Sequence, residues 1–158
     1  MSSYTIEDIL NSHERHKLFL YDCLESQLKD VLQTFTNKNI PVLNIGFELA
    51  NFLNNLNDYR FLAIETYDFI LKLLNKNKKR INNSENEIIA IHNLAILLEP
   101  NLELNAVRLF TEFSKSFGLI IIWENQYNLQ DILNWPTQKQ KFSLDFSDTT
   151  LRKLQHAI

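Results

Sequence analysis

The sequence predicts a single α/β domain of three layers built around a mostly parallel sheet. Short apolar runs alternate with stretches of helical periodicity, and this order produces parallel strand pairing. Two runs, 88–91 and 119–123, contain only apolar side chains, as expected for central strands that are covered on both faces. The length of 158 residues is typical of one domain, and the sequence has no linker rich in Pro, Gly or Ser. We therefore assign residues 1–158 to one domain.

Hydrophobic periodicity places the elements along the chain. Thr5 suits the cap of a first helix, and a strong amphipathic helix begins after Asn105 and ends at Gly118. The predicted helices are 6–14, 24–35, 47–56, 63–75, 104–117 and, capped by Ser147 or Asp148, 149–155, with a helical turn at 127–133. The predicted strands are 17–21, 40–45, 88–91, 119–123 and, as an edge strand, 141–146. The polar stretch 76–85 is the clearest loop.

Composition and charge narrow the range of functions. A net charge of −3 and a pI near 5.8 do not favour non-specific nucleic-acid binding. The single cysteine, Cys23, excludes an intrachain disulfide and a thiolate zinc site, and it suits a reducing cytoplasm. The N-terminal segment lacks the apolar core of a signal peptide, and the run 119–123 is too short to span a bilayer. We therefore expect a cytoplasmic protein that does not contact membranes.

Polar residues at the predicted strand ends form the candidate site, because open parallel sheets bind ligands at the carboxyl ends of their strands. These residues are Asp22, Asn44, His92, Asn93, Glu124 and Asn125. His92 near Glu124 suits acid–base chemistry, and the alternative is a strand-end histidine satisfied by hydrogen bonds. Cys23 is either a thiol activated at a helix N-terminus or a buried packing residue. His13 and His16 share a helix face without enough further ligands, so we predict no metal site.

The segment 44–125 resembles a family of small P-loop proteins. Residues 44–49, NIGFEL, are similar to the N-[LI]-G-x-E-L segment of the BrxF-type protein of BREX phage-exclusion systems. Residues 91–110, IHNLAILLEPNLELNAVRLF, are similar to that family's strand ending in Asp-Asn, with the acid-Pro element and helix that follow it. Ile122 and Trp123 stand where the family has an apolar strand ending in Trp. The resemblance implies a P-loop NTPase-like domain with a role in bacterial anti-phage defence.

The chain departs from this family at the residues that would bind and hydrolyse a nucleotide. Its only two glycines, Gly46 and Gly118, cannot supply the phosphate loop G-x-x-x-x-G-K-[ST]. The resemblance places that loop at 22–29, where the sequence is DCLESQLK and carboxylates stand near the expected polyphosphate. His92 replaces the strand-end acid, and imidazole is a poor ligand for Mg²⁺. We therefore expect a degenerate domain, a pseudo-ATPase without catalytic residues or a cofactor.

Three functions remain open. The first is a non-catalytic interaction or regulatory subunit that contacts other proteins of a defence complex through Trp135. The second is a nucleotide-sensing module that binds ATP without hydrolysis, and its degenerate site would comprise Lys17, Asp22, Ser26, Lys29, His92 and Asn93. The third is a nucleic-acid adaptor with a local basic loop, although such a charge run is also typical of a solvated loop. Its basic residues would be Lys76, Lys78, Lys79, Arg80 and those of 139–141.

Overall fold

From residue 6 to residue 123, helices and strands follow one another in the predicted order, with one additional short strand at 79–80. The computed structural model describes residues 4–124, 131–134, 143–149 and 151–156. The strands are β1 (Leu18–Asp22), β2 (Val42–Asn44), β3 (Lys79–Arg80), β4 (Glu87–His92), β5 (Gly118–Trp123), β6 (Ile132–Asn134), β7 (Ser143–Asp145) and β8 (Arg152–Lys153). The helices are α1 (Ile6–Leu10), α2 (Leu28–Asn37), α3 (Ile45–Asn54), α4 (Leu62–Asn77) and α5 (Ala106–Ser114). Short 3₁₀ turns occupy Glu25–Gln27, Ala95–Leu98 and Pro100–Leu102.

Parallel pairing joins the main strands in the order β2-β4-β5-β1-β8. The longest register runs between β1 and β5, from Leu18 opposite Leu119 to Asp22 opposite Trp123. The short strand β3 pairs with β4 in the antiparallel direction, and β6 and β7 form a separate two-stranded sheet. The predicted α/β class with a mostly parallel sheet is confirmed.

Two apolar clusters cover the two faces of the sheet. Side chains alternate between the faces along each strand. On the first face, sheet residues such as Ile89 and Ile121 pack with residues of α3, α4, α5, β6 and β7. On the second face, residues such as Ala90 and Ile120 pack with α1 and α2. This arrangement gives the predicted three layers, and it explains why the central strands are apolar throughout. Within the described ranges, no helix combines the length and apolar character needed to cross a bilayer.

The C-terminal element differs from its prediction. We expected a helix at 149–155, but this segment contains the strand β8. The amide of Leu154 donates to Leu20 O at 2.7 Å, and Leu151 and Leu154 are buried. Pairing satisfies backbone groups on the outer edge of β1, which a helix could not do. Tertiary pairing therefore outweighs the local capping signals at Ser147 and Asp148.

Smaller differences concern element boundaries. The first helix has the predicted Thr5 cap, but it ends at Leu10 rather than at 14. The predicted loop 76–85 contains the last residues of α4 and the strand β3. The predicted helical turn 127–133 overlaps the strand β6, while 127–130 lies outside the described residues. The helix α5 ends at Ser114 rather than at 117, and Gly118 begins β5. A Cβ atom at Gly118 would lie 2.6 Å from Ile88 Cγ2, so the close packing of β5 against β4 requires glycine there.

Candidate functional site

The carboxyl ends of the parallel strands meet at one edge of the sheet. There β1 ends at Asp22, β2 at Asn44, β4 at His92 and β5 at Trp123. After β1 the chain continues into α2 on the second face, whereas β6, the next described strand after β5, packs on the first face. The crevice between β1 and β5 is therefore the switch point at which such sheets bind ligands.

The turn between β1 and α2 occupies the position of a phosphate loop, but it is closed on itself. The amide of Cys23 donates to Trp123 O at 2.9 Å, and that of Leu24 donates to Gln27 Oε1 at 3.0 Å. The Gln27 amide donates back to Leu24 O at 2.9 Å. Residues 22–29 are all described, and none of them has positive φ. Because these amides are paired within the protein, they do not converge on an anion as a phosphate loop requires.

The carboxylate of Asp22 is held by the C-terminal segment. Its Oδ2 lies 3.2 Å from Lys153 Nζ, and its Oδ1 lies 3.1 Å from His156 Nε2. The His156 ring also contacts the Tyr21 ring, with 4.9 Å between the centroids. Both carboxylate oxygens of Asp22 are therefore paired with cationic or titratable groups of the C-terminal segment. Nothing in the sequence marks this arrangement, because it depends on the pairing of β8 with β1.

Cys23 is a protonated thiol and not an activated nucleophile. Burial raises the pKa of Cys23 to about 11, and the negative charges of Glu124 and Asp22 act in the same direction. Activated thiols need the opposite environment, with a nearby cation or helix N-terminus that lowers the pKa. Of the two alternatives for Cys23, the structure favours the packing residue.

His92 and Glu124 also lie at this edge of the sheet. His92 is buried, and burial lowers its pKa, so that the ring is neutral over a wider pH range. Burial also raises the pKa of Glu124, and the charge of Glu25 raises it further. His92 Nδ1 and Glu124 Oε2 have no hydrogen-bond partner among the described residues. His92 Nδ1 and Glu124 Oε2 therefore do not form the hydrogen bond that an acid–base pair of these two residues would use.

The residues of the NIG segment have a structural role in this fold. Asn44 Oδ1 accepts the Phe47 amide at 2.9 Å, which caps α3, and it also accepts Asn93 Nδ2 at 2.9 Å. Asn93 has left-handed backbone geometry, with φ of 61°. A Cβ atom at Gly46 would lie 2.4 Å from Asn93 Nδ2 and 2.8 Å from its carbonyl oxygen. Gly46 is therefore required for the close approach of β4 to α3.

The other residues predicted for nucleotide binding do not converge. Lys17 precedes β1 and lies at the opposite, amino edge of the sheet, where its Nζ donates to Lys115 O at 3.1 Å. Ser26 is exposed in the 3₁₀ turn, and Lys29 is exposed in the first turn of α2. The structure thus brings Asp22, Ser26 and Lys29 to the carboxyl edge and leaves Lys17 apart from them.

The basic stretch divides into structural and exposed residues. Lys78 Nζ lies 3.4 Å from Glu87 Oε2 and 4.2 Å from the centre of the Phe117 ring, so this lysine is part of the packing. Lys76, Lys79 and Arg80 are exposed. Lys79 and Arg80 line a cavity of about 480 Å³ between the end of α2 and the start of β2. None of the described residues that line this cavity is acidic.

Some predicted contacts lie elsewhere or outside the described residues. His13 Nε2 pairs with Glu85 Oε2 at 3.1 Å on the surface. Within the described ranges, no group of three or more His, Cys, Asp or Glu residues has the arrangement of a metal site. Trp135, Asn125 and the basic residues of 139–141 lie outside the described part of the chain.

Comparison of the chain with protein-family models, with curated proteins and with solved structures gives no match.

Proposed function

We propose that the chain is a non-catalytic, P-loop-like interaction or regulatory subunit of a bacterial anti-phage defence complex of the BREX type, acting in the cytoplasm. The resemblance of 44–49 and 91–110 to the BrxF-type family supports the defence role. The parallel sheet and its carboxyl-edge crevice are compatible with such a domain. The protein would then act by binding other subunits and not by hydrolysing a nucleotide.

The turn at 22–29 is the observation that supports a non-catalytic role. The amides of Cys23, Leu24 and Gln27 are used within the protein, and Asp22 is held by the C-terminal segment. A bound polyphosphate would have to break these contacts and would also meet the charge of Glu25. Phosphoryl transfer depends almost entirely on positioning and charge stabilisation, and this turn offers neither.

The nucleotide-sensing alternative is weakened by the position of one lysine. That alternative used Lys17, Lys29 and Asn93 together. Lys17 lies at the amino edge of the sheet, whereas Lys29 and Asn93 lie at the carboxyl edge. The length of β1 separates the two edges, so one nucleotide phosphate cannot contact both lysines.

A specific cavity favours the nucleic-acid adaptor as a second candidate. Lys79 and Arg80 line the cavity of about 480 Å³, which has no acidic residue among its described lining, on a protein of net charge −3. The double variant Lys79→Ala/Arg80→Ala should then abolish DNA retardation at low salt. Lys76→Ala is the matched control, because Lys76 is exposed in the same region and does not line the cavity. Retardation that is absent in the unchanged protein would exclude this candidate.

Thermal unfolding with and without ATP and Mg²⁺ tests the proposed function. A ligand that binds only the native state raises the melting temperature by mass action. We expect no shift with ATP at millimolar concentration, because the amides of Cys23, Leu24 and Gln27 are already paired within the protein. A shift that depends on Mg²⁺ and is lost in Lys29→Ala would contradict the non-catalytic assignment.

Co-expression tests the interaction part separately. The tagged chain should retain at least one product of a neighbouring defence gene through size-exclusion chromatography. A well-behaved protein that retains none of these products would count against the role in a complex, whatever the result with ATP.

A further inference from the structure

Apolar side chains are concentrated on the surface where α4 begins. Among the described residues, the large apolar side chains with the greatest exposure are Leu24, Phe47, Tyr59, Phe61 and Ile64. Three of them, Tyr59, Phe61 and Ile64, lie within six residues of sequence and are 60%, 60% and 64% exposed. Single exposed apolar residues are ordinary, whereas a group of this size marks a binding surface more often.

A groove lies beside this group. Ile64, Tyr67 and Asp68 of α4 line one wall, and Glu103, Leu104 and Arg108 at the start of α5 line the other. The groove has a volume of about 340 Å³. Concave apolar surfaces between two helices are a common seat for a third helix. We call this surface the α4–α5 groove.

The apolar stripe of α4 extends further than the core requires. Its period places Ile64, Tyr67, Ile70, Leu71 and Leu74 on one side of the helix. Ile70 and Leu74 are buried, but Ile64 is largely exposed. Helical spacing thus predicts burial for Ile64, and the domain itself does not supply it. A second helix laid along the groove would cover this residue.

The charged residues around the groove indicate which charge a partner must carry. Asp68 and Glu103 line it, and Glu65 follows Ile64. Arg108 is the basic residue of the lining, and Arg60 nearby is paired with Asp58 at 2.7 Å. Carboxylates are therefore in excess over guanidinium groups, so that complementary contacts require Lys or Arg on the partner.

We propose that the α4–α5 groove binds an amphipathic helix of a partner protein that carries apolar side chains flanked by Lys or Arg. This proposal rests on the proposed function, since it gives the interaction subunit a surface and a class of partner. Apolar residues of that helix would contact Ile64 in the groove and Phe61, the exposed residue that caps α4 three positions earlier. Its basic residues would contact Asp68 and Glu103, which line the groove. Such helix-in-groove contacts combine apolar anchors with a charged rim.

Fluorescence polarisation with two labelled peptides tests the proposal. One is an amphipathic Leu/Lys helix of about 18 residues, or five turns, and the other has the same pattern with Glu in place of Lys. We expect binding of the basic peptide only. The double variant Phe61→Ser/Ile64→Ser should weaken this binding about tenfold or more, as expected when apolar anchors are removed. Both side chains are exposed, so the fold should tolerate the changes.

Matched variants distinguish specific binding at the groove from non-specific hydrophobic binding elsewhere on the surface. Phe47→Ser is the apolar control, because Phe47 is 59% exposed but belongs to α3, whereas Ile64 lines the groove and Phe61 caps the same helix. Asp68→Asn/Glu103→Gln should weaken binding and reduce its salt dependence, whereas Asp30→Asn, an exposed change on the other face, should not. Equal binding of both peptides, or equal effects of Phe47→Ser and the double variant, would overturn the proposal.

Sedimentation of the free protein distinguishes another occupant. A dimer that forms with rising concentration and disappears in Phe61→Ser/Ile64→Ser would show that a second copy covers the groove, and this would also overturn the proposal. The test with ATP is independent of these results. Stabilisation by ATP and Mg²⁺ would refute the non-catalytic assignment, whereas loss of selective peptide binding would refute only the groove.

Discussion

Two residues from separate strand ends, Asn44 and Asn93, determine the local geometry of the carboxyl edge. The left-handed backbone of Asn93 turns the chain away from β4, and its side chain donates to Asn44 Oδ1. Asn44 also caps α3, so one oxygen joins a strand end, a helix start and a loop. Packing therefore accounts for Asn44 and Gly46 in this fold.

Replacement of Gly46 tests this packing. Ala favours a helix over Gly by up to about 1 kcal/mol, so Gly46→Ala would stabilise α3 if space allowed. The added Cβ would lie only 2.4 Å from Asn93 Nδ2, and we expect a net loss of about 1–3 kcal/mol in the free energy of unfolding. Urea denaturation measures the loss. It should be smaller in an Asn93→Gly background, where only the contact with the carbonyl oxygen persists, and equal losses would contradict the packing role.

The partly buried carboxyl of Glu124 makes the free energy of unfolding depend on pH. Its raised pKa means that the folded protein keeps this proton to higher pH than the unfolded chain does. Stability is therefore lost as pH rises from the ordinary pKa of 4.5 through the folded value. We expect Glu124→Gln to stabilise the protein at pH 7 relative to the unchanged chain, and we expect this gain to vanish below the ordinary pKa of 4.5. Denaturation at several pH values measures it, and a gain independent of pH would indicate a different cause.

At the scale of elements, the short strand β8 completes the site region. It pairs with β1 over only two residues, Arg152 opposite Phe19 and Lys153 opposite Leu20. Side-chain contacts strengthen this short pairing: Lys153 and His156 contact Asp22, and Arg152 donates to Glu14 and to His16 O. The C-terminal segment thus protects the edge of β1, and its His156 lines a cavity of about 300 Å³ beside Asp22.

Removal of the Asp22 charge should loosen β8 while the rest of the sheet stays intact. The ion pairs are partly exposed, so Asp22→Asn should lower global stability by less than about 1 kcal/mol. Hydrogen exchange should accelerate at the Leu154 amide, which bonds to Leu20 O, and stay unchanged at Ile121 in β5. Lys17→Ala, at the opposite edge, is the control. Unchanged exchange at Leu154 would show that backbone pairing alone holds β8.

At the scale of the whole molecule, the sheet is most protected at its centre. Residues 119–122 of β5 and 88–91 of β4 are 0% exposed, and helices cover both faces. Backbone amides in such strands exchange only through global unfolding. We expect amides of β4 and β5 to exchange most slowly and those of 55–61 most rapidly, as measured by native-state hydrogen exchange. Similar rates in both regions would contradict a single cooperative core.

Periodicity and burial made most of the fold predictable. The all-apolar runs became β4 and β5, and caps at Thr5 and Asn105 start α1 and α5 as expected. These features depend on neighbouring residues, which a sequence displays directly. The final helix was wrong because β8 exists only through its pairing with β1, a contact between residues more than 130 positions apart. Long-range pairing leaves little trace in local composition.

The candidate site was predictable only where it depends on local sequence features. The missing glycines excluded a phosphate loop, and strand ends located Asp22, His92 and Glu124. Tertiary structure decided what surrounds these side chains: Asp22 is paired with Lys153 and His156, and Cys23 is kept protonated by burial. Charge and solvent exposure depend on which segments pack together. The sequence by itself therefore determined the fold class, because that class follows from local periodicity. Only the tertiary structure decided the environment of each polar group and the exposure of the α4–α5 groove, because both depend on which distant segments pack together.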